Sequence, residues 1–231
     1  MDRVFGMLRN GNAGMAIAEM EIYLAAWPQP QTQERLETIK KDYELMADFW
    51  KQGVKDPQLE EQYQRLLQRV YVLAANVAVF RYMRQSSFLT GLHDGVRRLD
   101  REWTVSAIRS EMENFVSEVV MMELEPEHKR KEKSQTLYKE HQQRMNELFN
   151  YVLTSRMWTD SVGNDFTELL VSPTIDSIDQ QLIVSAVMLS LTNQFDIIKF
   201  RLLTEVYRRS HDEKVRQRAL VGWVFSLDND W

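Results

Sequence analysis

The sequence predicts an all-α protein. Its 231 residues include only 8 glycines and 5 prolines, well below the roughly 12% of average usage, which argues against a turn-rich β fold. The chain is 44% hydrophobic and 27% charged, a composition that can bury a core without disulfides. Apolar residues recur every three or four positions along almost its whole length, which is the helical period.

Composition excludes several kinds of protein. The chain has no cysteine, so disulfides, thiolate metal sites and thiol nucleophiles are ruled out. Residues 1–20 lack the apolar run of a signal peptide, and the apolar stretch 70–83 is shorter than the roughly 20 residues of a membrane span. We therefore expect a cytoplasmic protein without a membrane partner. The net charge of -5 disfavours nucleic acid as a partner.

The first helices are set by proline and glycine. A helix over 13–27 ends at Pro28 and Pro30, because proline cannot continue a helix interior. A second amphipathic helix then runs to Gly53, which has the typical position of a C-terminal cap.

Asp56 and Pro57 supply an N-cap and a first helical residue for a third helix. This helix becomes apolar on every side after Val70, so we expect it to be central to the first half of the chain. Asn76 lies inside that apolar run and is interpreted as a structural core amide.

The middle of the chain contains a strongly polar segment. Two amphipathic helices, over 88–99 and 105–119, precede Pro126. The residues that follow are mostly charged and lead into an apolar end at Leu153. One long helix with an exposed first half fits this pattern best, and a linker is the alternative. A brief helix around 166–170 comes next.

Three polar residues predict where the last three helices begin. Ser177 and Ser210 fit capping boxes with Gln180 and Glu213, and Asn193 precedes a further amphipathic segment. The segments 179–187 and 212–220 also align at an offset of 33 residues, which is a helical-hairpin repeat period.

The second of these segments resembles the first helix of a HEAT repeat. Asp212, Arg216 and Ala219 stand where that family has its linking aspartate, linking arginine and small packing residue. The first segment has Ile183 at the arginine position. The N-terminal hairpin resembles a TPR unit more loosely. The resemblance implies a right-handed α-solenoid-like array (α-α superhelix) of roughly ten helices, with Asp212 and Arg216 in structural polar roles.

We predict three regions. They are an N-terminal helical-hairpin region at 1–124, a long polar helix with its connections at 125–171, and HEAT-like repeats at 172–231. The last helix keeps apolar residues, including Trp223, at core spacing without a polar cap. We expect this region to be truncated or packed against a partner, and a homodimer through the C-terminal helix is one form of that contact.

No catalytic motif stands out. Glu125-x-x-His128 is a single copy of a spacing that di-iron sites need twice, and His93, His141 and His211 are scattered. Nucleophile-elbow and phosphate-loop patterns are missing. The basic run 128–133 is diluted by acids and is interpreted as a solvated helix face. We therefore predict no enzyme, with no catalytic residue, cofactor or metal.

The function expected from these patterns is protein–protein interaction or scaffolding. The predicted binding residues are Arg201, Glu205 and Arg208, on the polar side of one helix that would face a protein or peptide partner. Lys199 falls inside the apolar arc of the same helix, and we interpret it as a core lysine paired with an acid such as Asp179 or Asp212. The alternatives are a HEAT-like nucleic-acid-binding protein of the DNA-glycosylase type and a structural homodimerisation module.

Overall fold

The computed structural model describes residues 1–53, 56–124 and 126–227, and divides the chain into two compact units, Met1–Arg81 and Tyr82–Trp231. The described residues form eleven helices and no strands. The helices are α1 (Asp2–Arg9), α2 (Ala13–Ala26), α3 (Pro30–Lys51), α4 (Pro57–Gln85), α5 (Ser87–Arg97), α6 (Val105–Glu123), α7 (Glu127–Leu153), α8 (Asp160–Leu170), α9 (Ser177–Asn193), α10 (Ile197–Arg209) and α11 (Glu213–Leu227). The all-α prediction is confirmed. The three regions predicted from the sequence stay a prediction.

The first unit contains α1 to α3 and most of α4, whose last residues belong to the second unit. Helix α2 packs against α1 and α3. Its buried side chains, such as Met20 and Leu24, share one core with Val70 and Val77 of α4. Helix α4 therefore contributes to the core of the first unit, and its central position in the first half of the chain stays a prediction.

The junctions of the first unit are where proline, glycine and aspartate predict them. Helix α3 begins at Pro30, and its C-terminal end is followed by Gly53 with a φ of 77°, a left-handed conformation that favours glycine. Helix α4 begins at Pro57, and the Gln58 backbone N–H donates to Asp56 Oδ1 over 2.8 Å. These boundaries depend on neighbouring residues alone, which is why the sequence predicts them.

The second unit is built around α9. Helices α7 and α11 pack against α9, and α8 and α10 complete the same core. The core contains large side chains that are fully enclosed, among them Phe166, Ile183, Leu191 and Leu203. This arrangement fixes the positions of α8 and α10, and α10 carries the residues predicted to bind a partner.

The polar segment in the middle of the chain is one continuous helix, α7, as predicted, and the linker alternative is wrong. Its described side chains are almost all exposed or half-exposed until Met145, where burial begins. The second half then packs on α5, α6 and α9. The helix is therefore held by its C-terminal half.

The three predicted helix starts of the C-terminal region are displaced. Asp176 caps α9 through the Ile178 backbone N–H, and Asp196 caps α10. The N–H of Val215 donates to Asp212 at the start of α11, while Ser210 ends α10. In each case an aspartate within three residues of the predicted cap is used instead, because its carboxylate accepts backbone N–H groups more strongly than a neutral side chain.

The two aligned segments of the sequence lie on helices that pack together, α9 and α11. Gly222 contributes to this packing, since a Cβ there would lie 3.2 Å from Cβ of Met188. The Val215 N–H and the Ser177 side chain hold the pKa of Asp212 below its ordinary value, so the start of α11 lies beside the start of α9. Among the described residues, no helix is long and apolar enough to cross a membrane.

Candidate functional site

A cleft of about 270 Å³ lies between α8 and α10 in the second unit. Two of the predicted binding residues, Arg201 and Glu205, line it, and Arg208 lies next to it through an ion pair with Glu205. Its remaining lining residues are Gly163, Asn164, Thr167, Glu168, Ile198, Leu202 and Arg209. The structure thus places the predicted residues of α10 opposite a face of α8 that was not predicted to take part in binding.

Two ion pairs join α8 and α10 at this cleft. Arg201 of α10 pairs with Asp160 at the start of α8, and Arg209 binds Glu168 with a shortest distance of 2.8 Å. The hydrogen bond from Arg209 holds the pKa of Glu168 below its ordinary value. An ionised, paired carboxylate is suited to polar recognition and not to proton transfer near neutral pH.

Gly163 allows α8 and α10 to approach closely. A Cβ at this position would overlap Cγ2 of Ile198, which forms part of the cleft floor with Leu202. The contact is possible because glycine has no side chain, and it sets the width of the cleft. Asn164, Thr167 and Glu168 share this face of α8 at helical spacing, but the spacing does not show that the face lies opposite α10.

Lys199, which is also on α10, is buried, with 3% of its surface exposed. Its Nζ lies 5.3 Å from the ring centroid of Trp158, a cation–π distance. Burial lowers the pKa of Lys199 to about 8, and the nearby charge of Asp196 opposes that shift. The burial that the sequence predicts is confirmed, but the acid beside Lys199 is not one of the two that we expected.

Asp196 is the buried acid of this cluster and is 1% exposed. Its Oδ1 accepts hydrogen bonds from the backbone N–H groups of Ile198 and Lys199, at 2.9 and 3.4 Å. Its Oδ2 accepts a hydrogen bond from the backbone N–H of Trp158 at 2.8 Å. One carboxylate therefore caps α10, anchors the segment before α8 and compensates the charge of Lys199.

The acids first expected to pair with Lys199 have other partners. Asp179 binds Nε2 of His141 on α7 at 2.8 Å, and His141 stacks on Phe115. Asp212 caps α11, as described above. Arg216 donates from Nε to the carbonyl of Tyr207 over 3.3 Å, so it ties α11 to the end of α10.

Asn76 of α4 is half-buried and lines a groove in the first unit. The residue has an interaction partner, but its partial exposure differs from the core position that the sequence predicts.

A continuous apolar face of α11 is exposed. Leu220, Val221, Val224, Phe225 and Leu227 each keep 39–59% of their surface accessible. Trp223, which the sequence suggested for this face, is half-buried instead and packs on Phe200 with a ring separation of 5.7 Å.

In the described part of the chain, the residues of the candidate metal motif and of the basic run are not grouped into a metal site. There, no three His, Asp or Glu side chains are grouped closely enough to hold a metal ion. Glu125 and the side chain of His128 lie outside the described residues. From Arg130 to Lys133 the side chains of the basic run are exposed.

These observations define an all-α protein with a charged cleft between two helices of its second unit. Comparison with known protein families, with curated proteins and with solved structures finds no match.

Proposed function

We propose that this chain is a non-enzymatic protein-interaction module, and that the rim of the α8–α10 cleft is a contact surface for a protein or peptide partner. The observation that carries the proposal is the row of charged side chains held at fixed positions along that rim, above the apolar side chains of Ile198 and Leu202. A surface of this kind recognises a partner through complementary charge and shape.

The ion pairs of the rim favour recognition because they limit the freedom of long side chains before a partner arrives. Arg201 and Arg208 keep more than half of their side-chain surface exposed although both are paired. Exposed ion pairs contribute only about 0–1 kcal/mol, so a partner can share or exchange them at little cost. Pre-ordering lowers the entropy that binding must remove.

The proposed architecture is an array of helical hairpins with a HEAT-like C-terminal repeat. Its support is the packing of α9 against α11, with Ala186 and Ala219 fully buried at equivalent positions of the aligned segments. Small residues at such positions let neighbouring helices approach closely. A curved array of hairpins would present the α8–α10 cleft as part of a longer binding surface.

The triple variant R201A/E205A/R208A tests the proposed surface. Wild-type and variant proteins are used to capture partners from a lysate, and recovered proteins are quantified by mass spectrometry. We expect at least one protein to be recovered at least about tenfold less with the triple variant, since several charged contacts are lost together. The helical content and the melting temperature should stay close to those of the wild type, because all three side chains lie at the surface.

The matched control is K131A/E132A/K139A. It also removes two basic residues and one acidic residue, from exposed positions of α7. The same protein should be recovered with this control as with the wild type. If no recovered protein distinguishes the two triple variants, the α8–α10 rim is not the contact surface.

The exposed face of α11 supports a second candidate function, homodimerisation. Exposed apolar side chains on consecutive helical turns mark interaction surfaces, and a two-fold axis lets the same face serve both copies. Leu220, Val224 and Leu227 follow each other at spacings of three and four residues, which is the spacing of a helix–helix seam.

The double variant V224D/F225D tests this second function. We expect sedimentation equilibrium to give a dimer for the wild type and a monomer for the variant, because two charges would be buried in the seam. The control V120D/M121D changes two equally exposed apolar residues of α6 and should remain a dimer. A wild-type protein that is a strict monomer at high concentration excludes the homodimer.

A further inference from the structure

A long groove in the first unit lies between α3 and α4. It consists of two adjoining cavities of about 530 and 330 Å³, which share Arg65 and Arg69 as lining residues. Arg35 near the start of α3 lines the same cavity as Asn76 of α4, whereas Phe49 near the end of α3 lines the same cavity as Gln62 near the start of α4. The two helices therefore run antiparallel along the groove. From Arg35 to Phe49 it follows α3 for about 21 Å, which is close to four helical turns.

The floor of the groove is apolar and its upper walls carry uncovered apolar side chains. Ile39 and Leu73 are buried beneath it. Leu45, Phe49 and Val72 stand along the walls with 61%, 41% and 42% of their surfaces exposed. Apolar surface in this amount, open along its length, is typical of grooves that receive an amphipathic helix.

The rim of the groove is positively charged. Arg35, Arg65 and Arg69 line it, and Asp42 is the acid among the lining residues. Arg69 pairs with Asp42 across the groove over 2.6 Å, and Arg65 pairs with Glu61 along α4. Arg35 makes no ion pair with any residue that the structure describes.

The remaining polar groups of the groove are uncharged. Thr38, Gln62, Gln68 and Asn76 alternate with the apolar wall residues. Three arginines and one aspartate line the groove, so the charged residues of its lining sum to +2. The Arg65–Glu61 and Arg69–Asp42 pairs are both well exposed, so an incoming carboxylate can share the guanidinium of Arg65 or Arg69 at little cost.

We infer that the α3–α4 groove binds an amphipathic helix of about four turns from a partner protein, with an apolar ridge on the groove floor and carboxylates against the arginine rim. The length of the groove sets the length of this helix, and the charge of the rim sets its acidity. The groove belongs to a different unit from the α8–α10 cleft. Binding at the α3–α4 groove is therefore tested independently of the function proposed for the α8–α10 cleft.

A synthetic peptide serves as the probe. It is a fluorescein-labelled helix former of about four turns, with leucines at i, i+3, i+4 and i+7 spacing and glutamates on both flanks. A second peptide has lysine in place of every glutamate, and a third has the first composition in scrambled order. Binding of each to the full chain is followed by fluorescence anisotropy. We expect saturable binding of the acidic peptide, at least about tenfold tighter than either of the others.

The variant R65E/R69E reverses the rim charge. It should weaken binding of the acidic peptide at least about tenfold and strengthen binding of the lysine peptide, because the sign of the potential changes. The control R3E/K41E makes the same charge change at exposed residues of the first unit outside the groove, and it should bind the acidic peptide like the wild type. Circular dichroism reports whether each variant remains folded. If R65E/R69E unfolds, R35E gives the same test at an exposed side chain.

Three results would overturn the inference. The first is equal binding of the acidic and scrambled peptides to the wild type. The second is an equal loss of binding in R65E/R69E and R3E/K41E, which would show that only overall charge matters. The third is a wild-type dimer that R65E/R69E dissociates, which would show that a second copy of this chain occupies the groove.

Discussion

Replacing Asp196 by alanine is expected to lower the free energy of unfolding by about 3–5 kcal/mol, the largest single-residue effect that we predict for this chain. The Asp196 carboxylate is almost fully buried and accepts three backbone N–H groups, from Trp158, Ile198 and Lys199. Its removal leaves α10 without a cap and buried donors without acceptors. It also leaves the buried charge of Lys199 without the acid beside it.

Urea denaturation followed by circular dichroism measures this loss. The control is D176A, because Asp176 caps α9 by accepting a hydrogen bond from the Ile178 backbone N–H at an exposed position. We expect D176A to cost about 1 kcal/mol, as ordinary caps do. The isosteric variant D196N should fall between the two, since an amide keeps acceptor capacity but not the charge. A cost for D196A no larger than that of D176A would contradict the role assigned to this carboxylate.

Replacing Lys199 by methionine is expected to stabilise the protein at pH 7 by about 1–3 kcal/mol. Lys199 is enclosed, and a pKa lowered from 10.5 to about 8 means that its charged form costs roughly 3 kcal/mol to bury. Methionine has a similar length and no charge to desolvate. The gain is reduced by the loss of the cation–π contact with Trp158, which contributes up to about 2 kcal/mol where water is excluded.

The advantage of K199M should depend on pH in a defined window. Because the pKa of Lys199 is lower in the folded protein than in the unfolded chain, the unfolded chain binds more protons between pH 8 and 10.5. The stability contribution of Lys199 therefore improves as the pH rises through this window. The difference between the wild type and K199M should be largest below pH 8 and should shrink steadily toward pH 10.5.

Denaturant unfolding of both proteins from pH 7 to 10.5 checks this expectation. K214M, which changes an exposed lysine of α11, is the control and should differ from the wild type by the same small amount at every pH. A constant difference between the wild type and K199M would mean that Lys199 keeps an ordinary pKa.

The effects predicted for D196A and K199M are also coupled. In the K199M background, D196A should cost less, since no buried cation is left uncompensated.

The sequence predicts the helices well wherever a local residue decides a boundary. Pro30, Gly53 and Pro57 lie at or beside the ends of α3 and α4, as their backbone properties require. The caps of α9, α10 and α11 are less predictable because several polar residues stand near each start. The structure selects an aspartate each time, since its charge accepts the N–H groups of the first turn best.

The candidate site was predictable only in part. The polar side of α10 follows from helical periodicity, and Arg201 and Glu205 do line a cleft. Nothing in the local sequence, however, indicates that α8 supplies the opposite wall or that Glu168 and Asp160 hold the arginines of α10. The burial of Lys199 also follows from periodicity, whereas its neighbours Trp158 and Asp196 depend on how the segment before α8 packs against α10.

By itself, the sequence determined that this protein is helical, where most of its helices break, and which side of each helix is apolar. These properties depend on backbone conformation and on spacing along one helix, which are local. Only the tertiary structure decided which charges pair and which apolar faces remain open, as in the arginine-rimmed groove between α3 and α4. Such pairing and exposure depend on distances between residues far apart in the chain, and packing alone sets those distances.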